Sequence, residues 1–210
     1  MLNLTTSIPE TYYQSTEYQS THIINLIMAR RKTDFTKALI LCEKIAVEMG
    51  LEVHYTHNLD PFFKGDLDGK RIFIGNHLSV DEKLFNLLHL AGHSIQWNVD
   101  ELLRNLGSEL YLHPDDELLK KLQAYEWQAN CYGLSILHKA EIFDLDNWLA
   151  KKYILDMLYL THFYITGKKL KQVTTVAKAY PFTRELKVIP LPDFVPASGD
   201  KTRNGIVISF

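Results

Sequence analysis

Leu88-His89-Leu90-Ala91-Gly92-His93 is the stretch that decides how this 210-residue chain is read. It lies inside a run that begins at Leu84-Phe85-Asn86-Leu87 and continues to Ile95 and Trp97. Apolar residues almost all round a helical wheel mark a helix that other elements cover. Positions four apart on a helix stand one above the other, so the imidazoles of His89 and His93 leave from one face and can reach the same cation. Gly92 costs about 1 kcal/mol relative to alanine inside a helix, which points to a neighbouring strand or a substrate approaching the backbone there. The helix start is written in Ser79-Val80-Asp81-Glu82, a capping box in which Ser79 and Glu82 satisfy each other's backbone donors.

Working outward, Phe35, Ala38, Leu39, Cys42, Ile45, Ala46 and Met49 form one stripe of a helix that starts at Thr33 or Asp34 and stops at Gly50. Leu51-Glu52-Val53-His54-Tyr55 alternates as a strand, and Phe62-Phe63-Lys64-Gly65 is a second candidate. Asp68-Gly69 signals a hairpin turn into Arg71-Ile72-Phe73-Ile74. The expectation is a small antiparallel sheet before the histidine helix. A second long helix follows His113-Pro114, with Asp115, Asp116 and Glu117 at its positive end, and runs to about His138. The fold class expected is α+β, mostly helical.

With 46% hydrophobic residues, the chain can bury one sizeable core with appended arms. Residues 1–22, rich in Thr, Ser, Tyr and Gln, read as an arm, 23–166 as the domain, and 167–210 as a tail. The tail holds the basic run Lys168-Lys169-Leu170-Lys171, read as solvated surface, then β-like Val173-Thr174-Thr175-Val176 and a segment punctuated by Pro190, Pro192 and Pro196. Its last residues, Gly205-Ile206-Val207-Ile208-Ser209-Phe210, are apolar enough to pair with a sheet edge. A net charge of −2, from 23 basic and 25 acidic residues, gives no bulk attraction to nucleic acid or anionic lipid. Cys42 and Cys131 sit in apolar helical patterns without a C-x-x-C neighbour, which fits a reducing cytoplasm. No secretory leader and no apolar run of about 18 residues is visible, so no membrane association is expected.

On the second long helix, Tyr125-Glu126-Trp127-Gln128-Ala129-Asn130-Cys131-Tyr132-Gly133 presents Glu126 and Asn130 one turn apart in an otherwise apolar stretch. An unpaired buried carboxylate costs several kcal/mol, so Glu126 calls for a metal or a cation. The ordinary alternatives are a salt bridge for Glu126, a surface amide for Asn130 and two hydrogen-bonded core histidines for His89 and His93. With nine histidines in the chain, a chance pair four apart arises in roughly a third of such sequences, so the pair alone is a weak signal.

The combination is more specific. His89-x-x-Gly92-His93 followed by Glu126-x-x-Ala129-Asn130-x-Tyr132 resembles the ImmA/IrrE family of zinc metallopeptidases, whose pattern is H-E-x-G-H followed by E-x-x-A-N-x-F-A. The likeness spans roughly residues 33 to 140. It implies a zincin-like domain, one Zn2+ held by His89, His93 and Glu126, and Asn130 supporting a ligand histidine. Tyr132 for Phe and Gly133 for Ala are mild departures. Leu90 is not mild: it stands where the family has the glutamate that takes a proton from the attacking water, so the base position carries no catalytic group. Glu82 shares the face of His89 but lies about 10 Å away along the axis. His138, Tyr159 and His162 depend on the fold to bring them near, and His162 reads as a core histidine.

Three readings follow. The favoured one is a metal-binding pseudo-peptidase that recognises a protein or peptide segment, such as a transcriptional regulator, with little or no proteolysis. The second is an active zinc peptidase that cleaves a repressor-type protein with a base from elsewhere. The third is an interaction module without metal.

Overall fold

A computed structural model describes residues 33–57, 59, 63–168 and 184–199, and the backbone of 205–208. Its elements in chain order are helix α1 (Phe35–Glu48), strands β1 (Glu52–Thr56), β2 (Phe63–Leu67) and β3 (Arg71–Gly75), helices α2 (Val80–Val99), α3 (Glu101–Gly107), α4 (Asp116–Lys139) and α5 (Asp146–Thr166), and strand β4 (Gly205–Ile208). The architecture is α+β and mostly helical. The expected arm (1–22) and the β-like stretch 173–176 lie outside the described residues, as does Phe62. No helix among the described residues is long and apolar enough to cross a membrane.

Helix α1 starts where the Asp34 side chain accepts the Thr36 N–H at 3.0 Å, and ends at Gly50, whose φ of +85° is the left-handed conformation that glycine adopts without strain. Its buried stripe of Ala38, Cys42 and Ala46 packs against α2. Burial alone pushes the Cys42 thiol up to about 12, so it is an inert part of the core.

The sheet is mixed, which corrects the antiparallel expectation. Its order is β1-β3-β2-β4, with β3 parallel to β1 and antiparallel to β2. The hairpin β2–β3 forms where expected, around Asp68-Gly69. Asp68 Oδ1 accepts the N–H groups of Lys70 and Arg71 at 3.0 and 2.8 Å, and Gly69 has φ +101°. The connection after β1 carries β2 past the position that β3 then fills, so β1 and β3 run the same way. Alternation within a strand sets which face is buried but not which strand lies beside it, so the pairing could not be read from the pattern. β4 pairs antiparallel with the outer edge of β2, as the apolar ending suggested.

Helix α2 opens on its capping box, with the Glu82 carboxylate accepting the Ser79 N–H at 3.2 Å. Every residue from Leu84 to Trp97 is buried. Gly92 is approached by a helix rather than by a strand or substrate: a Cβ there would overlap the backbone carbonyl of Ala129 on α4. The converse holds at Gly133, where a Cβ would stand 3.0 Å from the backbone oxygen of Leu88. Two glycines, one on each helix, thus let α2 and α4 approach nearly backbone to backbone. Helix α4 starts at Asp115, which accepts the Leu118 N–H at 2.8 Å.

Helix α3, not anticipated from the sequence, is a short turn off the end of α2, capped by Asp100 on the Leu102 N–H at 2.8 Å. Residues 184–199 form no regular element, yet they strap the domain. Trp127 Nε1 donates to Glu185 O at 2.9 Å, Ser135 Oγ donates to Ile189 O at 2.7 Å, and Ala197 N donates to Asn98 Oδ1 at 2.8 Å. Leu186, Ile189, Leu191 and Phe194 pack against the core along the way.

The helix contact is directly testable. Gly92→Ala forces α2 and α4 apart, so a loss of about 1–3 kcal/mol in urea unfolding is expected, with a smaller loss for Gly133→Ala, whose neighbour need move only a few tenths of an ångström. Equal stability of Gly92→Ala and the unaltered chain would refute the close contact.

Candidate metal centre

The contact of α2 with α4 sets His89 and His93 against Glu126. Nε2 of His93 lies 3.1 Å from Nε2 of His89 and 3.2 Å from Oε2 of Glu126, and the third side, His89 Nε2 to Glu126 Oε2, is 3.4 Å. A tetrahedral ion with bonds of about 2.0–2.1 Å to nitrogen and oxygen has ligand atoms about 3.3–3.4 Å apart, and the centre of this triangle is about 1.9 Å from each corner. The three side chains are almost wholly buried. Among the described residues they are the group of His, Cys, Asp and Glu side chains that could hold a metal ion. The structure brings together the three side chains that the sequence singled out.

Neighbouring amides set where each imidazole carries its proton. His93 Nδ1 faces Gln96 Oε1 at 2.9 Å, and Gln96 is fixed because its Nε2 donates to Tyr125 O and to Gln128 Oε1, both at 2.9 Å. An acceptor at Nδ1 keeps the proton there and turns the Nε2 lone pair towards the centre. Asn130 touches His89 as expected: its Nδ2 lies 2.9 Å from His89 Nδ1 and also donates to Glu126 O at 2.9 Å. Its Oδ1 is buried without a partner. In this orientation His89 carries its proton on Nε2. For Nε2 to face an ion the proton would have to sit on Nδ1, with the Asn130 amide turned over to accept it at the expense of its bond to Glu126 O.

Burial, and then the neighbouring His93, hold the His89 imidazole down at about 4 against the opposing pull of Glu126 and Asn130. It is neutral at pH 7, the form that binds a cation. Burial would push the Glu126 carboxyl up, yet His93, His89 and the Tyr164 hydroxyl together hold it below its ordinary range, so it is ionised. Tyr164 on α5 hydrogen-bonds Glu126, and burial keeps its phenol neutral. The Tyr125 ring stacks on His93 with centroids 4.5 Å apart, and its hydroxyl accepts the Trp97 Nε1–H at 2.7 Å.

Of the other histidine and carboxylate candidates, none joins the group. His138 pairs with Asp146 at 2.9 Å, Glu82 with Lys64 at 3.2 Å, and His162 is half-buried on α5 rather than a core residue. Leu90, fully buried, packs towards the sheet: a Cβ on Gly65 of β2 would stand 2.7 Å from Leu90 Cδ1. Sequence reasoning missed Gln96, Tyr125, Tyr164 and Asp156. Gln96 was within reach, being three residues after His93 on the same face. Tyr164 and Asp156 sit on a separate helix, and no spacing connects them to the histidines. No protein-family model, no curated protein and no solved structure matches the chain.

Acid should weaken the metal-free protein in a defined window. The unfolded chain protonates His89 near its ordinary pKa of about 6.5 whereas the folded one resists until about 4, so the unfolded state binds more protons between those values. Stability should therefore fall by up to about 3 kcal/mol as the pH drops from 6.5 to 4. Urea titrations at pH 7 and pH 4.5 measure this, and His89→Ala should flatten the dependence.

Proposed function

We propose that the chain is a zinc-binding pseudo-peptidase of the ImmA/IrrE-like type, which grips a protein segment, such as part of a transcriptional regulator, and cuts it poorly or not at all. The observation that carries this reading is the triangle of His89 Nε2, His93 Nε2 and Glu126 Oε2 with sides of 3.1–3.4 Å, beside a leucine at the proton-transfer position. Three protein ligands leave a fourth position for a water or substrate oxygen, the pattern of catalytic rather than structural zinc sites. Zinc bound there would supply Lewis acidity, polarising a carbonyl and making a water acidic near neutral pH.

The chain's own residues hold and orient the site: Gln96 and Asn130 steer the two imidazoles, and Tyr164 fixes the Glu126 carboxylate. None of these replaces the missing base. Leu90 offers no proton acceptor and is turned into the sheet, so the factor of roughly 10² to 10⁴ that positioned acid–base catalysis contributes is absent. Buried free thiols support a reducing, cytoplasmic setting for this reading.

One observation favours the active alternative. Asp156 on α5 has a buried Oδ2 without a hydrogen-bond partner, and burial together with the negative charge of Glu126 pushes its carboxyl up to about 8. A carboxyl of that pKa exchanges protons near neutrality, which is what a relocated base would need.

Metal analysis of protein purified without a histidine tag is the first test, with about one equivalent of zinc expected. Less than about a tenth of an equivalent after zinc is added back would reject the reading. His89→Ala, His93→Ala and Glu126→Ala should each abolish tight binding, and Asn130→Ala should weaken it about 10- to 100-fold. With a repressor-type protein as substrate, the zinc-loaded chain should bind without efficient cleavage. Efficient cleavage that disappears in Asp156→Asn, with zinc content unchanged, would establish the active alternative instead. Leu90→Glu should raise cleavage only if the new carboxylate turns from Gly65 towards the imidazoles. At this buried position it should also cost stability.

A further inference from the structure

Strand β2 lies directly on the metal helix. A Cβ added at Gly65 would meet Leu90 Cδ1 at 2.7 Å and Asn86 Oδ1 at 3.6 Å, so the strand's backbone touches α2 at the residue next to His89. One edge of β2 is bonded to β3. The outer edge is taken by β4, with Gly205 opposite Leu67, Ile206 opposite Asp66 and Val207 opposite Gly65, and β4 also approaches α2. Any extended chain on this edge therefore runs past the helix that carries His89 and His93.

β4 is a weak occupant held by a tether. It is four residues long, and its ladder is broken by a register shift between Phe63 and Gly65. The chain just before it is anchored, since Gly199 N donates to Asp68 O in the β2–β3 hairpin, and only residues 200–204 intervene. A tether that short gives an effective concentration on the order of millimolar, enough to keep a strand paired whose free peptide would bind poorly. Ile206-Val207-Ile208 is uncharged and β-branched, the composition that adds to sheet edges through main-chain hydrogen bonds.

We propose that the outer edge of β2 is where the partner's extended segment docks, and that β4 holds this edge in cis as a displaceable stand-in for an uncharged, β-branched strand. The inference takes its biological use from the partner recognition proposed above, whereas the edge itself requires no metal. A partner strand that replaces β4 regains the same main-chain bonds, so the exchange is governed by its side chains and by the tether it must outcompete. The resting chain keeps its own edge covered, which also protects it from pairing with other chains.

The probe is a fluorescein-labelled peptide with the sequence of residues 203–210, titrated by anisotropy into the full-length chain and into Ile206→Pro and Val207→Pro, metal-free and zinc-loaded. Successive N–H groups of a strand point to opposite sides, so at least one of these prolines removes a bond to β2. At least one variant is expected to bind the peptide tenfold or more tightly than the unaltered chain, and the peptide should slow amide exchange at residues 63–67. Equal affinity for all three chains, no binding to variants that keep the melting curve of the unaltered chain, or protection confined to other residues would each overturn the proposal. If both prolines unfold the protein, Asp66→Cys combined with Ile206→Cys takes their place. The oxidised, locked form should lose the peptide binding that the reduced form shows, and equal binding by the two forms overturns the proposal. Zinc is counted in the same samples: peptide exchange without zinc removes the metal reading alone, and zinc without peptide exchange removes the edge proposal alone.

Discussion

The close approach of α2 to α4 is the constraint on which the rest of this structure depends. Gly92 faces the carbonyl of Ala129, and Gly133 faces that of Leu88. Neither helix gains from its glycine in isolation, since each residue weakens its own helix by up to about 1 kcal/mol. The contact between them offsets that cost by allowing close packing of two long apolar faces. It also fixes distance: Glu126 lies one turn before Asn130 on α4, and only helices at this separation bring its carboxylate to 3.2 and 3.4 Å from the two imidazoles. The glycines are packing residues whose consequence is chemical.

A buried carboxylate beside two buried imidazoles is expensive unless every polar atom is answered. Most are. Gln96 answers His93 and is itself held by Tyr125 and Gln128, and the Tyr164 hydroxyl answers Glu126. Asn130 Oδ1 and Asp156 Oδ2 are not answered: both are buried without a partner, although the Asn130 amide nitrogen serves two acceptors. An ion at the centre of the triangle would need the His89 Nε2 lone pair and hence its proton on Nδ1, which the Asn130 amide could accept only by turning over and giving up Glu126 O.

Leu90 ties the centre to the sheet. As a leucine it is an ordinary core residue, pressed against Gly65 of β2, where a Cβ would crowd it. A glutamate could not occupy that volume without loss, because its carboxylate would be buried among the apolar contacts between α2 and β2. The same contact sets β2, and whatever pairs with its outer edge, beside the histidine helix. The proposed recognition of an extended segment and the proposed metal centre both stand with a leucine at this position, because neither needs a proton-transfer group there.

Sequence alone settled the parts governed by local physics. The helix over Phe35–Glu48 followed from its stripe and Gly50, the start of α2 from Ser79 and Glu82, and the β2–β3 turn from Asp68-Gly69. The group of His89, His93 and Glu126, which could hold a metal ion, was legible because two of the three share a helix face and the third is a carboxylate in an apolar run. Long-range geometry decided what remained. The place of β3 between β1 and β2, the strap of residues 184–199, and the arrival of Tyr164 and Asp156 near Glu126 all join residues far apart in the chain. No periodicity records such neighbours, because a residue's spacing reports the face it occupies and not the surface that meets it. Hence the sequence determined which side chains could form a metal centre, and only the packing of two helices through opposed glycines determined that they do meet.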